Sequence, residues 1–263
     1  MSQVRENCFK FGEDKHLSGI LTEPGIEGKK PAVVLVNAGL VPKFGPFRLY
    51  VELARHLAKQ GVMAFRFDLS GIGDSLQRER NLPLKVRTRS EINEALNFLS
   101  ERKDVSEIIL AGLCSGAEDS FRYAENDPRV KRVILIDPFS YETSAFKWRY
   151  LFHRVGRRLL RALGLYKPAL TPKKKALIDY KYMEFEESSR ILKQLIDRKV
   201  RIHFIYTGGM RDSFNHRSQL KAMFREIDFK NLVTLDHFPE MDHTQVFKED
   251  RDLLLGAIGQ QFA

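Results

Sequence analysis

One cysteine of this chain stands in a setting that could make it a nucleophile. Cys114 is the centre of the pattern Gly112-x-Cys114-x-Gly116, which follows an apolar run at 108–110 and precedes a predicted helix over 115–125. A strand, a very tight turn and a helix in this order form a nucleophile elbow, which exposes the central side chain. The flanking positions need glycine because a Cβ there would clash with the turn. The same five residues also fit an ordinary glycine-rich turn of an α/β sheet.

Acyl transfer at such a cysteine needs a base that takes its proton and an acid that orients the base. His243 is the predicted base, because it follows the last predicted strand by a short loop and precedes the C-terminal helix. Asp212 is the predicted acid, and Asp137, at the end of the strand after the elbow, is the alternative. Asp212 has a competing role as the N-cap of a helix that begins near Ser213, since aspartate is a preferred cap.

Backbone N–H groups are the predicted donors to an oxyanion. One is the N–H of Ser115, the residue after the nucleophile, and the other comes from the loop after the strand at 32–36, at Gly39 or Leu40. The hydroxyl of Ser115 is a second candidate nucleophile, but an elbow exposes only its central side chain, which favours Cys114.

A thiol at the position where serine is usual limits the acyl substrates on which the site can act. A free thiol has a pKa near 8.5, so a few per cent is thiolate at neutral pH, and a helix N-terminus stabilises the thiolate. A tetrahedral intermediate expels a thiolate more easily than an alkoxide, so attack on an ordinary alkyl ester would often reverse. Thioesters, lactones and activated esters avoid this because their leaving groups are good. We therefore expect a thioesterase, an acyltransferase or an activated-ester hydrolase rather than a general lipase.

Strands and helices alternate along the chain and predict the elements that position these residues. Strands are predicted at 4–11, 17–22, 32–36, 62–67, 108–110, 133–136, 200–206 and 232–236, and helices at 47–59, 90–102, 115–125, 186–198, 215–225 and 245–260. This alternation predicts an α/β fold with a mostly parallel sheet of about eight strands flanked by helices. The candidate site residues follow predicted strands, at the sheet edge where open α/β folds place their sites.

The positive charge of the chain lies mainly in one segment. The formal net charge is +10, and residues 140–183 carry eleven Lys and Arg residues against Glu142 and Asp179. The alternation of strands and helices breaks in the same segment, so we predict one core domain, 1–139 and 184–263, with an insertion at 140–183. Nucleic-acid binding through this insertion is not expected, because no motif for it is present.

Composition excludes several other classes of protein. Two cysteines, Cys8 and Cys114, form neither a disulfide framework nor a metal-site pattern. Without a dinucleotide fingerprint or a phosphate-binding loop, we expect no cofactor and no metal. The N-terminus lacks the apolar stretch of a secretory signal, and the apolar run at 32–36 is far shorter than the ~20 residues that span a bilayer. We therefore expect a cytoplasmic protein.

Together these motifs resemble those of the α/β-hydrolases, over essentially the whole chain. The resemblance rests on Gly112-x-Cys114-x-Gly116, Asp68-x-x-Gly71-x-Gly73-x-Ser75, Gly209-x-x-Asp212 and Asp242-His243. It implies the α/β-hydrolase fold and the chain order nucleophile, acid, histidine, and some members place the acid at the position of Asp137. Members often have His-Gly in the oxyanion loop, where this chain has Asn37-Ala38-Gly39.

The sequence is also similar to a narrower group, cysteine-nucleophile hydrolases related to serine aminopeptidase S33 and found beside bacterial exosortase and polysaccharide-biosynthesis systems. Gly112-Leu113-Cys114-Ser115-Gly116 carries this similarity, together with the segments 133–139 and 197–215. The hydrolase resemblance further implies that the insertion at 140–183 is a lid over the site.

An apolar stripe at helical spacing runs through this predicted lid. Its residues are Trp148, Leu151, Phe152, Val155, Leu159, Ala162 and Leu163, with Lys147, Arg154, Arg158 and Arg161 to one side. One interpretation is a cap packed on the body with a solvated basic face. The other is that the stripe receives an acyl chain or an anionic membrane, through residues 146–175, while the cations attract phosphate. Acyl-CoA, acyl-carrier protein and lipid-linked sugar phosphates all fit this second interpretation as substrates or partners. A hydrolase-like protein that binds without catalysis is a further alternative.

Overall fold

The computed structural model describes residues 3–78, 82–163 and 183–262. Its strands form one eight-stranded sheet in the order β1-β2-β4-β3-β5-β6-β7-β8. They are β1 (Arg5–Phe11), β2 (Leu17–Glu23), β3 (Lys30–Val36), β4 (Met63–Asp68), β5 (Val105–Leu113), β6 (Val130–Ile136), β7 (Arg201–Thr207) and β8 (Val233–Phe238). Strand β2 is antiparallel to both of its neighbours, and the pairs from β4 to β8 are parallel. The predicted mostly parallel sheet is therefore confirmed.

Helices cover both faces of this sheet. They are α1 (Leu49–Lys59), α2 (Leu84–Ser100), α3 (Ser115–Ala124), α4 (Ser144–Ala162), α5 (Phe185–Asp197), α6 (Ser218–Met223) and α7 (Lys248–Gly259). Helices α1 and α7 bury apolar side chains with Val33 and Leu35 of β3, whereas α2, α3 and α5 pack on the opposite face with Val34 and Val36. Successive strand residues point to opposite faces, so a strand covered on both sides is apolar throughout.

Helix α6 is shorter than the predicted helix at 215–225. The side chain of Gln219 accepts the N–H of Asn215 at 3.0 Å and donates to the carbonyl of Ser213 at 2.7 Å. These bonds satisfy backbone groups in a loop conformation instead of a helical turn. The loop after β7 therefore extends to Arg217, and no helix begins near Ser213.

The predicted insertion is described in part. Residues 164–182 lie outside the described residues, so the assignment of 140–183 as a lid stays a prediction. Helix α4 is anchored at its start, where Phe146 is buried and Arg149 donates to Asn215 at 3.3 Å and to Ser218 at 3.2 Å. None of the helices in the described ranges is long and apolar enough to cross a membrane.

Candidate active site

The elbow residue Cys114 lies between the end of β5 and the start of α3, with φ 55° and ψ −120°. A Cβ on Gly112 would overlap the backbone of Gly116, and one on Gly116 would lie 2.5 Å from the carbonyl oxygen of Val36. Both glycines are therefore required by close backbone packing. The positive φ of Cys114 is a strained conformation of the kind found at functional sites.

Buried hydrogen bonds fix the position of the elbow. The N–H of Cys114 donates to the carbonyl of Ile136 at 2.8 Å, which ties it to the end of β6. The hydroxyl of Tyr50 accepts the N–H of Leu113 at 3.0 Å and donates to the carbonyl of Val36 at 2.9 Å. Burial raises the pKa of Tyr50, so it keeps the proton that it donates. Sequence patterns do not identify Tyr50 as a residue that positions the elbow, because its place in α1 is that of an ordinary buried side chain.

Asp137 directly follows β6 and holds a fully buried carboxylate. Its Oδ1 accepts the N–H of Thr207 at 2.6 Å, and its Oδ2 accepts the hydroxyl of Thr207 at 2.6 Å. Oδ2 also lies 2.7 Å from Nδ1 of His243. The N–H of Asp137 donates to the carbonyl of Ile205 at 2.8 Å. The φ of Asp137 is 47°, so the backbone is strained here too. A buried carboxylate needs several donors, and Thr207 and His243 provide them.

Asp212, the predicted acid, does not pair with His243 in the structure. After β7 the chain passes through a short 3-10 helix, Gly208–Met210, before it reaches Asp212. Asp212 is exposed and lines the cavity next to His237. It does not cap a helix either, because α6 begins at Ser218. The alternative, Asp137, occupies the position beside the imidazole.

His243 lies in the loop between β8 and α7 and is half-buried. Burial lowers its pKa, but the hydrogen bonds to Asp137 and Cys114 and the charges of both groups outweigh burial and raise it to about 10. Nδ1 faces the carboxylate, so Nε2 is the nitrogen available to Cys114. The loop is held by Gln245, whose buried side chain donates to the carbonyls of His243 at 2.7 Å and Asp242 at 3.1 Å.

The predicted oxyanion loop approaches the elbow. The N–H of Gly39 donates to Oγ of Ser115 at 2.7 Å, and Leu40 is exposed. Asn37 holds the loop, since its amide donates to the carbonyl of Val41 at 2.8 Å and its oxygen accepts the N–H of Leu69 at 2.8 Å. Asn37 thus stabilises the loop through its side chain. The oxyanion loop thus contacts, through the N–H of Gly39, the residue that directly follows Cys114.

A cavity of about 320 Å³ lies beside the histidine loop. Arg149 and Tyr150 of α4 form one wall, and Arg211, His237 and the chain around Gly208 line the other side. The next residue, Gly209, packs against the Cβ of His243. Within the described residues, no group of three or more His, Cys, Asp or Glu side chains could hold a metal ion.

Known proteins share this architecture and part of this sequence. The esterase EstD of Thermotoga maritima is 28% identical over 126 residues, which is 46% of this chain and 30% of the esterase. The chain thus spans less than a third of the length of that relative. An esterase of Pyrococcus furiosus is 15% identical with a TM-score of 0.61, covering 98% of this chain and 89% of its own. The esterase domain of a Rhodothermus marinus protein is 17% identical with a TM-score of 0.59, covering 98% and 97%.

At these identities the two solved structures share the fold with this chain. The match to a family model is more specific, since it spans residues 28–209 and so includes the elbow and Asp137. That stretch is more than half of the sequence, and the described part of it has the sheet and elbow that the motifs predicted. The chain belongs to the serine aminopeptidase S33 family of α/β-hydrolases.

Proposed function

We propose that this protein hydrolyses ester or thioester bonds of acyl substrates, with Cys114 as nucleophile, His243 as general base and Asp137 as the acid that orients it. The contact between Nδ1 of His243 and the buried Oδ2 of Asp137, at 2.7 Å, carries the proposal. It fixes the imidazole with Nε2 towards the thiol, which is the arrangement of nucleophile, base and orienting acid that acyl transfer needs.

The reaction begins with a thiolate and an imidazolium. Nε2 of His243 takes the proton of the Cys114 thiol, and the raised pKa of His243 favours this ion pair. The thiolate attacks the carbonyl carbon of the substrate, and the carbonyl oxygen becomes an oxyanion near the N–H groups of Ser115 and Gly39. When the intermediate collapses, the bond to the leaving group breaks and Nε2 returns its proton to that group. The product is a thioester between the acyl group and Cys114.

Hydrolysis of this acyl-enzyme restores the site. Nε2 of His243 removes a proton from water, and the hydroxide oxygen attacks the thioester carbonyl. The carbon–sulfur bond of Cys114 breaks, the carboxylic acid leaves and the thiol recovers a proton from His243. An alcohol, thiol or amine that replaced water would make the same site an acyltransferase.

The nature of the nucleophile supports substrates with good leaving groups. A thiolate is itself a good leaving group, so the intermediate goes forward only when the substrate offers an equal or better one. Thioesters and activated esters meet this condition. The name of the Thermotoga relative, an esterase, supports the same class of bond.

Intact-protein mass spectrometry with acyl thioesters and nitrophenyl esters tests the proposal. We expect an acyl adduct on the native chain and none on Cys114→Ala, which also loses turnover. Cys8→Ala is the matched control, because Cys8 is an exposed cysteine on the edge strand β1. Full turnover by Cys114→Ala would overturn the proposal, and the absence of any adduct across the panel would favour a binding protein without catalysis.

A further inference from the structure

Helix α4 exposes a continuous apolar stripe. Trp148 is 61% exposed and Phe152 is 68% exposed. The other exposed members, in the helix and directly after it, are Leu151, Val155, Leu159 and Leu163. Single exposed apolar side chains are common on protein surfaces, but a contiguous patch marks a surface that binds something.

The same helix is strongly basic. It carries Lys147, Arg149, Arg154, Arg157, Arg158 and Arg161 and no acidic residue. Lys147, Arg154 and Arg158 are exposed along its length. The segment that follows, 164–182, adds Lys167, Lys173, Lys174, Lys175 and Lys181 in sequence against Asp179 alone. An apolar stripe beside cations, without acids, is typical of a helix that lies in the interface of an anionic membrane.

The orientation of α4 on the body is fixed at its start. Phe146 is buried, and the carbonyl of Phe146 accepts the side-chain amide of Asn215 at 3.3 Å. Arg149 is held by Asn215 in the loop after β7 and by Ser218 at the start of α6. Because that loop leaves the carboxyl edge of the sheet, a surface bound to α4 would lie beside the edge that carries Cys114 and His243.

We propose that α4 binds the surface of a membrane that contains anionic lipids, with the apolar stripe among the acyl chains and the cations on the lipid phosphates. A second copy of this chain is a poorer partner for the same face, because it would bring two sets of cations together. A membrane with anionic lipids instead has negative charge at its surface and apolar acyl chains beneath it. This inference is independent of the proposed activity. Only its corollary, that acyl substrates enter from the bilayer, rests on that activity.

Trp148 is the single tryptophan of the chain and lies in the stripe, so its fluorescence reports on binding directly. The full chain is titrated at low ionic strength with vesicles of phosphatidylcholine and phosphatidylglycerol, and with vesicles of phosphatidylcholine alone. We expect a blue shift of the emission and flotation of the protein with the anionic vesicles. Added salt should weaken both effects, because it screens the cations from the lipid phosphates.

Two pairs of substitutions test the apolar stripe and the cations in turn. Leu151→Glu with Leu159→Glu removes apolar contact and adds negative charge within the stripe, and Arg154→Glu with Arg158→Glu reverses the charge beside it. Each pair should weaken binding by roughly tenfold or more, because two cations near an anionic surface contribute about fivefold each and the leucine pair loses buried apolar area and gains repelled charge. Leu253→Glu on α7 and Lys131→Glu at the start of β6 are exposed controls away from α4 and should bind as the native chain does.

Three results would overturn the proposal. The first is the absence of flotation and of a fluorescence shift at low ionic strength. The second is equal binding by the native chain and by both pairs of variants. The third is a concentration-dependent dimer without lipid that Leu151→Glu with Leu159→Glu dissociates, because a second copy would then cover the stripe. Loss of turnover by Cys114→Ala has no bearing on these measurements.

Discussion

Nδ1 of His243 lies 2.7 Å from Oδ2 of Asp137, although 106 residues separate the two in sequence. Parallel pairing of β6 with β7 and of β7 with β8 brings the ends of these strands to one edge, and both residues follow strands that end there. The carboxylate also accepts two hydrogen bonds from Thr207, so it is fixed before any substrate binds. The imidazole is therefore oriented by a group that cannot move independently of the sheet.

Asp137→Asn should lower kcat for acyl thioesters by at least about 100-fold. The amide can no longer hold the imidazole with the correct nitrogen towards Cys114, and losses of this size or larger follow when the orienting carboxylate of such a site is neutralised. Steady-state kinetics and single-turnover acylation measure the loss.

Asp212→Asn provides the comparison for that experiment. Asp212 is exposed and lines the cavity beside the histidine loop, so kcat should change less than about threefold while KM is free to vary. If the two variants behaved in the opposite way, Asp212 would be the acid in solution and the orientation by Asp137 would be wrong.

The pH at which the His243 imidazole loses its proton should depend on Asp137. A pKa raised to about 10 keeps the imidazole protonated through neutral pH, so it can give a proton to the leaving group until the pH passes about 10. Asp137→Asn removes a hydrogen bond and a negative charge that raise this pKa. The titration should then move to lower pH, towards the usual value of about 6.5.

Proton NMR of the imidazole signals measures this titration without any turnover. The signal of His243 is assigned by its absence in His243→Ala. An unchanged titration in Asp137→Asn would show that the carboxylate does not set the charge of the imidazole.

Cys114→Ser should change the order of substrate preference. A serine alkoxide is no better a leaving group than the alkoxide of an alkyl ester. The tetrahedral intermediate therefore no longer expels the enzyme nucleophile in preference to the leaving group of the substrate. The ratio of kcat/KM for alkyl esters to that for thioesters should rise, while the absolute rate with thioesters falls by roughly tenfold or more because no thiolate is present. An unchanged ratio would mean that leaving-group chemistry does not determine which substrates are used.

Thr207→Val should destabilise the fold by about 1–3 kcal/mol, the usual cost of removing a hydrogen bond to a buried charged group. Valine fills the same volume, but Oδ2 of Asp137 loses the hydroxyl at 2.6 Å. Urea denaturation at pH 7 measures the change. In the background of Asp137→Asn the same substitution should cost less, because the buried charge is gone, and equal costs in both backgrounds would rule out this account.

The elements and the elbow could be predicted from the sequence because both are local. Central strands such as β3 contain continuous apolar runs, and the pattern of two glycines around Cys114 is visible in five residues, although Gly116 itself is required by the carbonyl oxygen of Val36 at the end of β3. The position of His243 is predictable for a similar reason, since it follows the last strand with one short loop between them. For these residues, position in the chain determines position at the sheet edge.

The carboxylate that pairs with His243 could not be chosen in the same way. Asp137 and Asp212 both come after buried strands, but Thr207 donates two hydrogen bonds to Asp137, whereas Asp212 lies beyond the 3-10 turn at Gly208–Met210 and is exposed. The signal for Thr207 was present, because it is the first polar residue at the end of a buried strand. Its partner, however, is 70 residues away, and only the pairing of β6 with β7 brings the two together.

Ser115 offers the sharpest test of the oxyanion site. Its Oγ accepts the N–H of Gly39 at 2.7 Å, so this donor is occupied while no substrate is bound. In Ser115→Ala the N–H of Gly39 is free to donate to the substrate oxygen. We therefore expect kcat for thioesters to stay within roughly fivefold of the native value.

The competing roles of Ser115 predict much larger effects. Loss of a true oxyanion donor costs about 100- to 1,000-fold in kcat, and loss of the nucleophile costs more. An aldehyde with the same carbon chain as the acyl substrate forms a reversible tetrahedral adduct with Cys114 and so tests the same site at equilibrium. Its affinity for Ser115→Ala should be at least as high as its affinity for the native chain. If Ser115→Ala instead lost both turnover and aldehyde affinity, the hydroxyl of Ser115 would itself be the second donor, and the N–H of Gly39 would serve only to position it.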